Sequence, residues 1–182
     1  MSANLRVGAR LFSSAIVFVF AAFLFAFFYL KAVNSHNQFH PAHVNPPAGF
    51  GVAILVCVAA AAGGFDLARR RIGDGTGGWR AGAAAALGLA VVVAALQVIE
   101  YFALDFKTAA GGYASLFWGW TLMFLLCWLA AVYWVETLLA QSLRGGEGGG
   151  DSLSASADGC GVYLYTLVGV ELVAFVLLYL VK

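Results

Sequence analysis

The sequence predicts an all-α integral membrane bundle of five transmembrane helices, with the N-terminus inside and the C-terminus outside. Three observations lead there. Of the 182 residues, 63% are apolar and only 10% are charged, against about a quarter charged in an ordinary soluble domain. The apolar residues fall in long continuous runs, the pattern of spanning helices rather than the alternation of barrel strands. About 115 apolar residues supply roughly five spans of about 20 residues each, which leaves no length for a soluble catalytic domain.

The first span, expected over about 11–32, contains Leu11 to Leu30, 20 residues without a charge. Arg6 and Arg10 precede it as they would a secretory signal. The run is longer than the apolar core of about 7–15 residues in such a signal, so a retained helix is expected. Its rings Phe12, Phe18, Phe20, Phe23, Phe25, Phe27 and Phe28 are too many for one narrow seam, so part of this helix must meet lipid or a partner.

Pro46-Pro47 stops the preceding loop and opens the second span, about 47–66, where Pro47 to Phe65 gives 19 uncharged residues. The third, about 81–104, has 19 such residues from Ala81 to Ile99, and the fourth, about 113–138, lies in the 28 residues from Thr108 to Val135. The fifth, about 161–181, is apolar from Val162 to Val181 except for Glu171 near its middle. Inner loops are expected at 67–80 and 141–160, the latter a flexible linker that holds the Gly-rich run Gly145 to Asp151 and the Ser-rich segment up to Asp158. Ala60-x3-Gly64 and Ala84-x3-Gly88 are the expected close-packing positions of the second and third helices. Trp118, Trp120, Trp128 and Trp134 are spread along the fourth span, so an interfacial belt accounts for only some of them.

Orientation follows from the basic residues. With the N-terminus inside, Arg6, Arg10, Arg69, Arg70, Arg71, Arg80 and Arg144 lie inside, and Lys31, Lys107 and Lys182 outside. Seven against three favours that arrangement.

The residue inventory excludes several functions. Haem inside a bundle usually needs axial histidines on the helices, yet His36, His40 and His43 all fall in the first outer loop. No cofactor is therefore expected on this chain. The spacing His36-x3-His40-x2-His43 suits metal ligands on a helix, but Pro41 would break that helix, and a plain polar loop is the competing reading. Gly145 to Asp151 lacks the Lys and Ser or Thr of a phosphate loop. Cys57, Cys127 and Cys160 form neither a CxxC pair nor a disulfide framework, and read as small buried side chains. No nucleic-acid partner is expected.

The polar residues within the spans stand out. Glu136 lies near the inner end of the fourth span and reaches the headgroup region. Gln97 and Glu100 lie toward the outer end of the third. A carboxylate at mid-bilayer costs about 2.5–3.5 kcal/mol, so Glu171 should be protonated, paired or turned toward protein. Its helical neighbours Leu167, Val168, Ala174 and Phe175 offer no partner, which leaves Gln97, Thr121 and Tyr133 on other helices as candidates. A proton path and a helix-to-helix contact are both open for Glu171.

The run Gln97-Val98-Ile99-Glu100-Tyr101, then Phe106, then Tyr113-Ala114-Ser115-Leu116-Phe117 resembles the heart of cytochrome c oxidase subunit III, where Gln-x-x-Glu-Tyr leads to Tyr-Gly-Ser-x-Phe-Phe. The frame is similar as well: a Phe-rich first helix, Pro46-Pro47 where the family has Trp-Pro-Pro, a basic inner loop, and a last helix ending in Leu178-Tyr179. Five spans match the short bacterial form. Other family hallmarks are replaced. Ile16 stands at the usual first-helix carboxylate, Leu122 to Cys127 at Gly-Phe-His-Gly-Leu-His, and Tyr163 to Val168 at Tyr-Trp-His-Phe-Val-Asp.

The resemblance implies a non-catalytic, structural and lipid-binding subunit III of a bacterial haem-copper terminal oxidase in aerobic electron transport, multi-pass in the cell membrane. Haem and copper would reside in partner subunits, chiefly subunit I. Phospholipid would be the ligand, with Arg69, Arg70 and Arg71 as headgroup contacts, a tendency that juxtamembrane basic clusters have independently. Topology determination alone accounts for these arginines equally well. Two other functions compete: an accessory subunit of a nitric oxide reductase, and a small autonomous transporter that couples through Glu100 and Glu171. Against the transporter, no internal repeat is evident.

Overall fold

The computed structural model describes residues 2–34, 39–41, 44–73, 78–144 and 150–181. Every regular element among them is helical: α1 (Ser2–Ala32), α2 (Ala48–Gly73), α3 (Trp79–Ala103), a 3-10 turn (Thr108–Ala110), α4 (Gly112–Arg144) and α5 (Gly150–Ala174). From Phe175 to Val181 the last helix continues as a π-helix. Five helices are long and apolar enough to cross a membrane, and the chain is a multi-pass membrane protein.

The helices are longer than the uncharged runs that mark them. At 33 residues and about 1.5 Å per residue, α4 exceeds a hydrocarbon core of about 30 Å. The expected inner loops are accordingly much shorter. Residues 67–73 belong to α2, 141–144 to α4, and 150–160 to α5. The segment read as a flexible linker is therefore helical from Gly150 onward, and only 145–149 lie outside the described residues. Its small side chains are compatible with a helix once they pack. Ala155, Ala157 and Cys160 are fully buried, and tertiary packing overrides the weak intrinsic preference.

Local chemistry sets the boundaries. Ala48 begins α2 directly after Pro46-Pro47, and the Phe50 amide closes the first turn on the Pro47 carbonyl at 3.0 Å. Gly111, at φ 151° and ψ 176°, occupies a region open essentially to glycine alone. It turns the chain into α4, where Ser115 Oγ donates to the Thr108 carbonyl at 2.7 Å and ties the turn to the helix.

Helices α2, α3, α4 and α5 pack in a ring, each against the next, so that α3 and α5 stand diagonally across the interior. Helix α1 lies outside the ring against α5 and α4. Contacts at both ends give the directions. Arg6 meets Asp158 and Lys31 meets the Val181 carbonyl, so α1 runs parallel to α5. Arg69 meets Asp158, so α2 runs opposite to α5, and Arg80 donates to the Ser142 carbonyl, so α3 runs opposite to α4.

Small residues join α2 to α3, at the expected Gly64 but otherwise on a neighbouring stripe. Gly64 faces Ala86, and Gly82 faces Ala68. Ala60, Ala84 and Gly88 instead point outward. The cause is azimuth: one residue turns the helix by about 100°, so the buried stripe on α2 runs through Ala61 and Ala68. Elsewhere, buried tryptophans carry the packing. Trp128 donates to the Ala90 carbonyl at 2.8 Å, bridging α4 to α3. Trp120 packs on Phe20 of α1 with ring centroids 5.4 Å apart. Of the α1 rings, Phe20 and Phe27 are buried, whereas Phe12, Phe18, Phe25 and Phe28 are exposed, as a lipid- or partner-facing helix requires.

Candidate functional site: a buried carboxylate network

The ring interior holds a polar cluster near the π-helical end of the bundle. Gln97 and Glu100, one turn apart on α3, are both buried, and the Gln97 amide donates to Oε2 of Glu100 at 2.7 Å. The other oxygen, Oε1, accepts from the Tyr179 hydroxyl at 2.6 Å. Tyr113, at the start of α4, donates to the Leu178 carbonyl. Aromatic packing encloses these bonds. Phe117 meets Tyr179 at 5.8 Å and Phe106 at 5.6 Å. On the fourth side Gly51 of α2 lies so close to the Tyr179 ring that an added Cβ would sit 2.9 Å from three ring atoms.

The π-helix makes the Tyr179 contact possible. Its i→i+5 bonding takes more residues per turn than an α-helix. Tyr179 is thereby rotated back toward the side of α5 that carries Glu171, which faces the interior. Glu171 is 5% exposed and lies within Coulombic range of Glu100, Tyr101 and Tyr179. Among the described residues it has no hydrogen bond or ion pair. The partners proposed for it are otherwise occupied or turned away. Gln97 is bonded to Glu100, Thr121 donates to the Phe117 carbonyl at 2.8 Å, and Tyr133 is 69% exposed.

A second cluster lies at the opposite end. Asp66 accepts from Arg69 and Arg70, and Asp158 accepts from Arg69 at 2.7 Å and pairs with Arg6 at 3.1 Å. Two of the three arginines read as headgroup contacts are thus engaged in ion pairs within the protein. The guanidinium of Arg71 lies beside Gly78 at the entry to α3. This cluster adjoins a hollow that includes Tyr165 and Thr166, and those two residues also border an apolar groove of about 360 Å³ between α1, α4 and α5. Val17, Phe20, Leu24, Trp120, Val170 and Val173 line the groove.

His40 packs its ring edge-on to Tyr113, with centroids 4.5 Å apart, while His36 and His43 lie outside the described residues. No group of three His, Cys, Asp or Glu side chains among the described residues is arranged to hold a metal ion. Glu136 is exposed near the end of α4.

The sequence reading identified Gln97, Glu100 and Glu171 but missed Tyr179 and Tyr113 as the groups that connect α3 and α4 to the C-terminal segment. No periodicity signals a π-helix. It also missed the ionic cluster, although Asp66 with Arg69 and Arg70 at i+3 and i+4 is a legible helical pairing. In comparisons with known proteins, the chain matches no family model and no curated protein.

Proposed function

We propose that this chain is a non-catalytic structural subunit of a bacterial haem-copper oxidase, packing beside the haem-bearing subunit and ordering phospholipid around it. One observation carries the reading. The residues on which the resemblance to subunit III rests converge on one another: Gln97, Glu100, Tyr113, Phe117, Leu178 and Tyr179 form a single connected cluster that ties α3 and α4 to the end of the last helix. Their use is architectural. The hydrogen bonds satisfy polar groups against one another and hold a helix frame, as a bracing subunit requires.

Two surfaces support the proposal. The exposed Phe18 and Phe25 of α1 offer a ring-rich face to a partner or to lipid. The apolar groove between α1, α4 and α5 continues toward the arginines at the other end. A phospholipid with its chain in the groove would bring its phosphate toward Arg6, Arg10 and Arg69, which line a common hollow.

The test is isolation of a tagged copy from solubilised native membranes. A haem-containing partner with the visible absorbance of an oxidase should accompany it. Recovery of a colourless chain without a partner polypeptide would overturn the proposal. If the partner carries iron rather than copper beside its active haem, the complex is a nitric oxide reductase instead.

A further inference from the structure

We propose that Glu100 and Glu171 form an intramembrane proton-binding site, in which Glu171 carries one exchangeable proton and Glu100 is the hydrogen-bonded carboxylate. This goes beyond the bracing role and does not depend on any oxidase partner.

The two carboxyls are treated unequally by their surroundings. Both oxygens of Glu100 accept a hydrogen bond, one from Tyr179 and one from Gln97, which is the environment that favours an anion. Glu171 has no hydrogen bond or ion pair among the described residues, although it is 95% buried on the count of its 5% exposure. Neither α3 beyond Arg80 nor any part of α5 contains a Lys or Arg, so no cation on these helices lies between the two carboxyls. The titratable groups nearby are Tyr101 of α3, Tyr113 of α4 and Tyr179 of the π-helix, with His40 edge-on to Tyr113 and Lys31 of α1 donating to the Val181 carbonyl at the end of the π-helix, while α2 contributes Gly51 at the Tyr179 ring.

Electrostatics then decides the occupancy. Two negative charges within Coulombic range of each other in a low-dielectric interior repel, and salt screens them far less there than at the surface. One bound proton removes the repulsion and leaves a single negative charge, on the carboxyl whose two oxygens both accept hydrogen bonds. The proton resides on the carboxyl that lacks donors, because Glu100 already has them. The pair therefore behaves as one coupled unit.

Infrared spectroscopy of the purified chain in detergent at neutral pH reads this directly. A protonated-carboxyl C=O band is expected, moving to lower frequency in D2O as the proton exchanges. The band should vanish in Glu171→Gln, shift in Glu171→Asp, and persist at altered frequency in Glu100→Gln. Other carboxyls serve as internal controls, since Asp66 and Asp158 are ion-paired and Glu136 is exposed. Absence of an acid band in the wild type overturns the proposal. So does a band that survives unchanged in both Glu171 variants, or one that Glu100→Gln also removes. Glu171→Asp and the D2O shift of the wild type keep the test decisive should Glu171→Gln fail to fold.

Discussion

Tyr179 donates its hydroxyl hydrogen to Oε1 of Glu100 over 2.6 Å, although the two residues belong to segments that stand diagonally across the helix ring. The bond spans the interior without direct packing of α3 on α5. Among the described residues it is the only side-chain hydrogen bond between them, so its loss leaves the two joined chiefly through α2 and α4.

Tyr179→Phe keeps the ring and deletes the donor. A buried acceptor left short of a partner costs about 1–3 kcal/mol, and polar contacts between membrane helices average about 0.6 kcal/mol. A loss of about 1–2 kcal/mol is expected, because the acceptor is a carboxylate. Tyr113→Phe should lose less, since its acceptor is a neutral backbone carbonyl that keeps its second lone pair. Unfolding midpoints in mixed detergent micelles give the comparison. A larger loss for Tyr113→Phe would contradict the ranking.

Gly51→Ala tests the same bond from the opposite side. The new methyl would sit 2.9 Å from three atoms of the Tyr179 ring, too close for any real contact. The ring must move away, and its hydroxyl with it. The expected cost is about 1–3 kcal/mol. In the double variant with Tyr179→Phe the two losses should sum to less than their separate values, because they damage one interaction. Simple additivity in a double-mutant cycle would show that Gly51 does not act through Tyr179.

The extent to which the sequence could be read varies with the length scale of the cause. The five spans are legible because a bilayer demands long uncharged runs, and Leu11 to Leu30 or Thr108 to Val135 have no other use. Glu100 and Glu171 are legible for the same reason, as exceptions to the rule. Partners are harder. Tyr179 meets Glu100 through a π-helix, whose extra residue per turn breaks the α-helical periodicity by which faces are assigned. The Gly and Ser residues before Asp158 signal a loop by their low helix propensity, whereas burial of Ala155, Ala157 and Cys160 carries the helix past them. Of the small-residue positions expected to pack closely, Gly64 meets α3 while Ala60, Ala84 and Gly88 are exposed, because any Ala-rich helix offers several such stripes.

That register makes a sharp contrast among glycines. At Gly159 an added Cβ would lie 2.8 Å from the Ala9 Cβ and 3.4 Å from the Trp134 ring, so Gly159→Ala must push α1 away from α5. A loss of about 1–3 kcal/mol is expected. At Gly88 nothing lies within 4 Å, and Gly88→Ala should be neutral or raise stability by up to about 1 kcal/mol through helix propensity. Thermal unfolding followed by circular dichroism separates the two. Destabilisation by Gly88→Ala would restore Ala84-x3-Gly88 as a packing face.

The arginines at the other end should differ as much. Arg69 contacts Asp66 on its own helix and Asp158 on α5 at 2.6 Å and 2.7 Å, with its side chain 33% exposed, so among the described residues it is the ion-pairing bridge from α2 to α5. Among the described residues Arg6 makes one ion pair, to Asp158 at 3.1 Å, and its side chain is 53% exposed. A half-exposed pair of that kind is worth about 0–1 kcal/mol and is screened by salt. Removing the shared partner of two carboxylates is costlier. Asp66 keeps Arg70 and Asp158 keeps Arg6, but the two acidic groups, one of them 7% exposed, then face each other without the guanidinium between them. Arg69→Met should therefore lower stability by about 2–3 kcal/mol, below the about 3–5 kcal/mol of a fully buried broken pair because the site is partly solvated. Arg6→Met should lower it by less than about 1 kcal/mol. Measuring both in low and high salt adds a second discriminator, since the Arg6 effect should shrink by the larger fraction. Equal losses in the two variants would mean that the pairing through Arg69 does not fasten α2 to α5.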